Sequence, residues 1–549
     1  MRKFRNIMVL ICLTMLLPGC FQDETQSILL EGNQRINTER DAFYAMNGIL
    51  QQLQQIGDNY VIFGELRGDL MDVTTKTPQE LRDINDFQAD SSNTYIIPKK
   101  YYAIINNCNN LIAKIDTAVV TNGSKTLMYD MKAAKTIRAW TYLQLYQIFG
   151  NVHYYTQPIL NVTNQKNYTD ISDFTQLSDT LLADLKSWVP GDGILEQYPD
   201  AVVINNVPIF YTSIGSFVES KLFIPTRFVV GELYLMRGNY AQAANMYYQI
   251  MRTYSLTLIN NKNAWNSTYT AYDTPNWPKL FTDLTLNEQI SLIGYSNEYT
   301  SYFLMPSLTN TSNYVFCPSS TAIKNWEEQT YSISAVASLS GDLRGKEGSY
   351  STFTSRNDVN DLVTNTYITK YSKIGNFIPI CRASLIYLRY AEAINRYGKP
   401  NMAFTFLKYG LNKSNLENTF YVPAKELKNK DAFIDFGQNK LTTDASAILF
   451  ASNTGIRSRG CGDVTLNNSF KIPTGGDSIT WVEDQLMTEY ALETAFEGNR
   501  FGDLMRISNH RNNPAYLAAK VAAKFPTAQQ SAILTRLSDK KNWYLPEKK

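Results

Sequence analysis

Gly231-Glu232-Leu233-Tyr234-Leu235-Met236-Arg237-Gly238-Asn239-Tyr240-Ala241-Gln242-Ala243-Ala244-Asn245-Met246-Tyr247 reads as two helices joined by a tight turn. Small residues at Gly231 and Ala243 let antiparallel helices approach closely, and Gly238 closes the turn between them. The pattern recurs. Ala391, Ile394, Gly398, Ala403 and Leu407 stand at the intervals of Gly231, Tyr234, Gly238, Ala243 and Tyr247. Such a unit cannot bury its apolar face alone, so helical neighbours must flank it.

The intervals are those of a tetratricopeptide repeat. Working outward, residues from about 40 to 188 read mainly as helices. Tyr102, Ile105, Asn109 and Ile112 recur at spacings of three and four, which predicts one helical face. Met131 to Phe149 is long and amphipathic and stops at Gly150, a predicted cap. Asp173 to Trp188 supplies another helix. Helical repeats are thus expected over about 40–253 and 381–413. Between them, about 254–380, the chain turns rich in Asn, Ser, Thr, Tyr and Pro, and 415–479 is also irregular. Long irregular stretches inside a compact protein are usually functional. A strong helix, Trp481 to Phe496, opens the C-terminal part, 481–549.

At the N-terminus Arg2, Lys3 and Arg5 precede an apolar run from Ile7 to Leu17, too short to stay as a membrane span. Leu16-Leu17-Pro18-Gly19-Cys20 resembles the bacterial lipobox. This predicts a signal peptide over 1–19, cleavage before Cys20 and lipidation of Cys20; an ordinary signal peptide with an incidental cysteine is the competing reading. A polar tether, 20–34, follows. Its Asp23 and Glu24 resemble surface-export signals of some Gram-negative lipoproteins, and a merely solvated tether explains them as well.

The 549 residues carry a net charge of +2. Losing Arg2, Lys3 and Arg5 from the 52 basic residues leaves 49 against 50 acidic ones. A near-neutral chain has no general pull on nucleic acid. With 36 Tyr and 26 Phe but only 2 His, stacking surfaces are favoured over metal or acid–base chemistry. Cys108, Cys317, Cys381 and Cys461 show no zinc spacing. Outside the cytoplasm they could pair. The apolar surroundings of Cys108 and Cys381 predict buried free thiols.

Glu493-Thr494-Ala495-Phe496-Glu497-Gly498-Asn499-Arg500-Phe501-Gly502-Asp503-Leu504-Met505-Arg506 closely resembles the C-terminal signature of the SusD/RagB family. Matches in the family's order include Gly64-Glu65-Leu66-Arg67-Gly68-Asp69, Tyr102 with Ile105 and Asn109, and Leu145-Tyr146-Gln147-Ile148-Phe149-Gly150. Arg389-Tyr390-Ala391-Glu392-Ala393 and Asn542-Trp543-Tyr544-Leu545-Pro546 follow. The resemblance implies a mainly α fold: four tetratricopeptide-like helix pairs in an α-α superhelix, with a loop-rich second half packed against them, all within one domain over 35–549. It also implies an outer-membrane, cell-surface lipoprotein that captures a nutrient without a cofactor and acts as lid of a SusC-like TonB-dependent β-barrel transporter. The ligand so implied is an oligosaccharide, or else an oligopeptide.

Sugar rings stack their C–H faces on aromatic faces while amides bond the hydroxyls. Trp265, Tyr272, Trp277 and Trp326 are the stacking candidates and Asn276 an amide partner, with Asn325 a further one. Asn93 and Tyr95 are added because the family's N-terminal contribution lies before Tyr101. The segment Asp90 to Tyr95 lacks the tryptophan of glycan-binding relatives. For each aromatic the competing reading is a core ring beneath long loops. Glu489, Glu493 and Glu497 stand four apart, which is a stripe and not a pair of carboxylates facing across a cleft, so a structural role with Arg500 and Arg506 as partners is expected over glycoside hydrolysis. Arg67-Gly68-Asp69 reads as a helix-to-loop turn with an Arg–Asp contact. His153 and His510 lack ligand-spaced neighbours, and Gly460-Cys461-Gly462-Asp463 lacks the frame of a phosphate loop. An enzyme and a purely protein-binding scaffold are the rival classes; product formation would favour the first, and the absence of any soluble ligand the second.

Overall fold

The structure is a computed structural model. It describes residues 35–547 apart from 122, 162–166, 190–201, 205–206, 210–218, 254–276, 278, 283–287, 296–302, 335, 358, 374–376, 411–414, 416, 429–430 and 435–454. Cys20, Trp265, Tyr272 and Asn276 lie outside the described residues.

Helix α1, Glu39–Val61, starts at Thr38, whose hydroxyl accepts the Asp41 N–H as an N-cap. It tightens into a π turn at Ile62–Leu66 and leads to strand β1, Met71–Val73. Next come α2, Gln79–Asn85, then α3, Pro98–Lys114, with proline in the first turn where its missing N–H costs nothing. Helix α4, Leu127–Phe149, ends at Gly150 with φ +71°, so the predicted cap is present. Strands β2, Val152–Tyr154, and β3, Thr169–Ile171, precede α5, Phe174–Leu185, which is capped by Asp173.

The first repeat forms α6, Thr226–Arg237, and α7, Tyr240–Thr253, with Gly238 in the left-handed turn at φ +78°. After β4, Gln289–Gly294, come the short α8, Met305–Thr309, β5, Phe316–Pro318, and α9, Ser320–Glu327. Two hairpins follow: β6, Thr330–Ser334, with β7, Ala337–Ser340, and β8, Tyr350–Arg356, with β9, Leu362–Ile368. Strand β10, Phe377–Arg382, pairs antiparallel with β4. The second repeat is α10, Ala383–Arg396, with α11, Pro400–Lys408. The chain closes with α12, Ser478–Glu493, α13, Arg500–His510, α14, Pro514–Ala522, and α15, Thr527–Leu537.

Helices pack in a continuous series: α1 on α3, α3 on α4, α4 on α6, α6 on α7, α7 on α10, α10 on α11, and both α10 and α11 on α12. This is a mainly α, repeat-based fold. Ala243 and Ala403 are fully buried at the two repeat crossings. A Cβ on Gly231 would lie 2.8 Å from the Tyr247 ring, so glycine there sets the close approach of α6 and α7. The buried face of α3 runs through Tyr101, Ile104, Ile105 and Cys108. That is one residue round from the expected one, because Tyr102 and Ile112 are only partly covered. Helix α12 ends at Glu493, three residues short of expectation; Thr494 caps it, so Glu497 is off the helix.

The 493–506 stretch is the hub of the molecule. Each of its charged side chains is buried and ion-paired with residues outside the stretch. Glu493 meets Arg344, Arg382 and Arg459, and Glu497 meets Lys370 and Arg382. Arg500 makes a two-pronged pair with Asp69 (2.6 and 2.8 Å), Asp503 meets Arg389 and Arg506, and Arg506 grips Glu392. Glu489, one turn before Glu493, meets Arg344 and Arg457. Arg500 and Arg506 are therefore not the partners of the glutamates. Opposite charges from the loop-rich half offset the cost of burying those carboxylates, and Arg500 and Arg506 bind acids of the first segment and second repeat. Burial alone would raise the Glu493 carboxyl, but Arg459, Arg382 and Arg344 outweigh it and hold the group below its ordinary value. Arg67 and Asp69 also part company: Arg67 donates to the Phe63 and Trp543 carbonyls (both 2.8 Å). No helix among the described residues is long and apolar enough to cross a membrane.

Candidate functional site

Trp277 is 0% exposed and donates its indole N–H to Ser349 Oγ at 3.1 Å. Lys370, Arg382 and Arg459 lie 5.4, 5.6 and 5.7 Å from its ring centre, so the ring roofs the buried charge cluster. Trp326 is 1% exposed, donates to the Leu492 carbonyl at 3.2 Å and stacks on Tyr350. Neither ring can meet a ligand from solution. Both are buried core rings, which corrects their selection as stacking residues. Asn325, one turn along α9, stays partly exposed.

Asn93 is also buried, but it shapes the surface. Its amide donates to the Glu80 carbonyl (2.7 Å) and its side-chain oxygen accepts the Tyr95 N–H (3.0 Å). Thr94 donates to the Glu80 carboxylate (2.9 Å), and Asn59 holds the Tyr95 carbonyl (3.3 Å). This fixes the Tyr95 loop across the N-terminus of α2 and leaves the ring half-buried.

Beside that loop a series of hydrogen bonds joins the N-terminal segment to the second half. Asp58 accepts the Leu304 and Met305 N–H groups (3.1 and 2.9 Å), and burial pushes its carboxyl up to about 6. Thr77 donates to the Val315 carbonyl (2.5 Å), Thr74 to Tyr314, and Lys76 to Ser312 (3.0 Å). Strand β1 pairs with β5 in the register Met71↔Pro318 and Val73↔Phe316. These contacts seat residues 303–318 on the N-terminal segment.

Three rings that sequence reasoning missed meet on this seam. Tyr314 packs edge-on against Phe353 of β8 (4.9 Å, 83°), and Phe353 packs against Tyr367 of β9 (5.7 Å, 80°). All three are half-buried. Phe353 faces Asn365 directly across the hairpin, and Ser351 faces Tyr367. One face of the hairpin thus carries two aromatic rings with Asn365, Ser351 and Ser355 between and beside them. Asn365 donates to Ser355 (2.8 Å) and is held flat against the strand. The alternation along β8 and β9 was the available signal, but the pairing register that groups the rings is not written in either strand alone. Burial, then Cys317, raises the Tyr314 phenol, and burial, then Glu80, raises that of Tyr95. Both hydroxyls are neutral donors at physiological pH.

Tyr314 also holds φ at +45°, a conformation costing a bulky side chain about 1 kcal/mol or more. Its N–H donates to Asn310 and the next N–H to Leu308 (2.8 and 2.9 Å), which fastens the strained turn.

The arrangement can bind, through aromatic faces flanked by amide and hydroxyl groups. Cys108, Cys317, Cys381 and Cys461 are free thiols; burial pushes Cys108 and Cys317 up to about 12, so neither supplies a thiolate. His153 pairs with Asp170 and lies 3.6 Å from Glu547. Burial holds His510 down at about 4. Among the described residues no cluster of His, Cys, Asp and Glu could hold a metal ion.

No protein-family model matches this chain, and no curated protein matches it. Solved structures do. A SusD superfamily protein of Bacteroides vulgatus superposes with a TM-score of 0.57 at 15% identity, over 92% of this chain and 95% of the other. A SusD superfamily protein of Bacteroides thetaiotaomicron gives 0.52 at 17%, over 92% and 98%. A SusD-like carbohydrate binding protein of Bacteroides vulgatus gives 0.51 at 16%, over 85% and 83%. The chain has the fold of these SusD superfamily proteins.

Proposed function

We propose that this chain is a SusD/RagB-type surface lipoprotein that captures an oligosaccharide at the Tyr95–Tyr314–Phe353–Tyr367 seam. It hands the ligand, chemically unchanged, to a SusC-like TonB-dependent β-barrel in the outer membrane. The observation that carries this reading is the cluster of three half-exposed rings with an amide and hydroxyls between them, built where the two halves of the chain meet. Aromatic faces give stacking area at little entropic cost, and fixed polar groups between them select hydroxyls. The likeness in fold to a SusD-like carbohydrate binding protein supports the same ligand class. Asn93 acts as the brace of the Tyr95 loop. Trp265, Tyr272 and Asn276 remain proposed contributors from the segment preceding Trp277. An oligopeptide is the second reading, favoured by the lack of tryptophan in Asp90 to Tyr95.

Cys20 anchors the chain in this account, and the tether from Phe21 to Gln34 spans at most about 45–50 Å. That keeps a swinging lid near its barrel and raises the effective concentration for closure. The test is binding of mixed plant and host oligosaccharides to the purified chain and to Tyr314→Ala and Tyr367→Ala. The reading expects at least about tenfold weaker binding in each variant with little change in melting temperature. Equal binding by wild type and both variants would place the site elsewhere, and peptide binding alone would select the second reading.

A further inference from the structure

A second concave feature lies between α9, α12 and α14. This cleft has a volume of about 490 Å³ and is lined by Ser320, Thr321, Asn325, Thr488, Tyr516 and Lys520, among others. That volume falls in the range of small-molecule sites, about 300–1,000 Å³. Ala491, Ala519 and Ala523 keep its walls low, and the neutralised Asp69–Arg500 pair lies at its floor.

Thr488 donates to the Asp484 carbonyl (3.0 Å), but several other polar groups around the cleft are not used by the fold. Among the described residues the side chains of Ser320, Thr321 and Asn325 make no hydrogen bond, and the buried Tyr516 hydroxyl has no partner. The charges are unbalanced as well. Lys324 is answered by Glu328 at 3.6 Å, whereas Lys520 forms no ion pair among the described residues and lies 5.8 Å from the Tyr516 ring centre. Desolvation and the nearby Arg500 charge outweigh the attraction of Asp69 and Asp484 and hold Lys520 below its ordinary value, a penalty that an incoming carboxylate relieves.

Hydroxyl and amide groups on one rim and an ammonium without an ion pair among the described residues on the other describe one ligand chemistry. We propose that this cleft is a second binding site, for a small polyhydroxylated acid of the uronic acid type. The carboxylate meets Lys520, the hydroxyls meet Ser320, Thr321 and Asn325, and the Tyr516 ring forms part of the wall. Its lining shares no residue with the rings Tyr95, Tyr314, Phe353 and Tyr367, so its occupancy and theirs can be read independently.

Calorimetric titration of the purified chain with D-glucuronate tests this, with D-glucose and acetate as the neutral and the hydroxyl-free controls. Glucuronate should bind, with glucose and acetate each at least about tenfold weaker. Lys520→Ala should weaken glucuronate by about tenfold or more, and Ala519→Trp, at an exposed position of α14, should fill the cleft and abolish binding while melting as wild type does. Tyr367→Ala should leave glucuronate binding unchanged, which separates this site from the capture seam. No heat from glucuronate up to about 20 mM, glucose binding as tightly as glucuronate, or full binding by both cleft variants overturns the proposal.

Discussion

Tyr314 is where the residue scale is most informative, because its strain and its ring can be separated. Glycine adopts φ +45° freely, so Tyr314→Gly should relieve backbone strain while removing the ring. The expectation is lost oligosaccharide binding, with a denaturation midpoint no lower than that of Tyr314→Ala, which loses the same ring and keeps the strain. Tyr314→Phe should keep the stacking and most of the affinity. A glycine variant that binds as wild type does would show that the ring is only structural. Buried charge gives a second residue-scale prediction. Glu392 takes Arg506 through both oxygens (2.7 Å each) and the Tyr490 hydroxyl at 3.0 Å. Burial opposes ionisation there, but Arg506 wins and the carboxyl is held near 2, against an ordinary 4.5. A depressed carboxylate contributes stability that is present above about pH 4.5 and lost as pH falls through about 2. The contribution is on the order of 3 kcal/mol. Urea melts from pH 5 to 2 should therefore be shallower in Glu392→Gln than in wild type, and the variant should lose about 3–5 kcal/mol at neutral pH. Parallel pH profiles would mean that the Arg506 pair does not couple to folding.

At the scale of elements, the repeats carry the fold. Ala243→Leu or Ala403→Leu inserts three carbons into a closed helix crossing, and each should destabilise by about 1–3 kcal/mol in denaturant. Unchanged midpoints for both would contradict tight packing of α6 with α7 and of α10 with α11. These pairs were legible in the sequence because their signals are local. Gly238 must turn left-handed, Gly150 must end α4, and small residues must recur where helices cross. What was not legible is long-range. Asp69 finds Arg500 across 431 positions, so no local spacing could show that Arg500 serves the first segment and not Glu493 or Glu497. Trp277 and Trp326 were chosen for aromatic density, which does not tell an inward ring from an outward one. The seam rings were passed over because Tyr314, Phe353 and Tyr367 become neighbours only after β8 pairs with β9 and residues 303–318 dock on β1. Asn93 stood out in the sequence, and its role is to brace the loop that presents Tyr95.

For the whole molecule the account joins an anchor, a helical frame and a binding seam into a lid. Cys20→Ser should abolish acyl labelling and release the protein from the membrane fraction, and gentle detergent extraction of wild type should bring a large β-barrel with it. Retention of the serine variant in membranes without a transporter would refute the anchor, and a protein that always extracts alone is not a lid. The buried charge hub bears on this scale too. It ties the first segment, the second repeat and the loop-rich half to one stretch, so binding on the proposed seam is expected to need little reordering of the chain. The claim at the centre is non-covalent capture of a glycan on that seam. The most direct test incubates an oligosaccharide pool with wild type and with the combined Tyr314→Ala, Phe353→Ala and Tyr367→Ala variant, then identifies retained and recovered glycans by mass spectrometry. The account predicts that wild type retains a defined subset and returns it with unchanged mass, while the variant, folded by its circular dichroism, retains none. Retention by the folded variant equal to wild type, or recovery of shortened glycans, would contradict it.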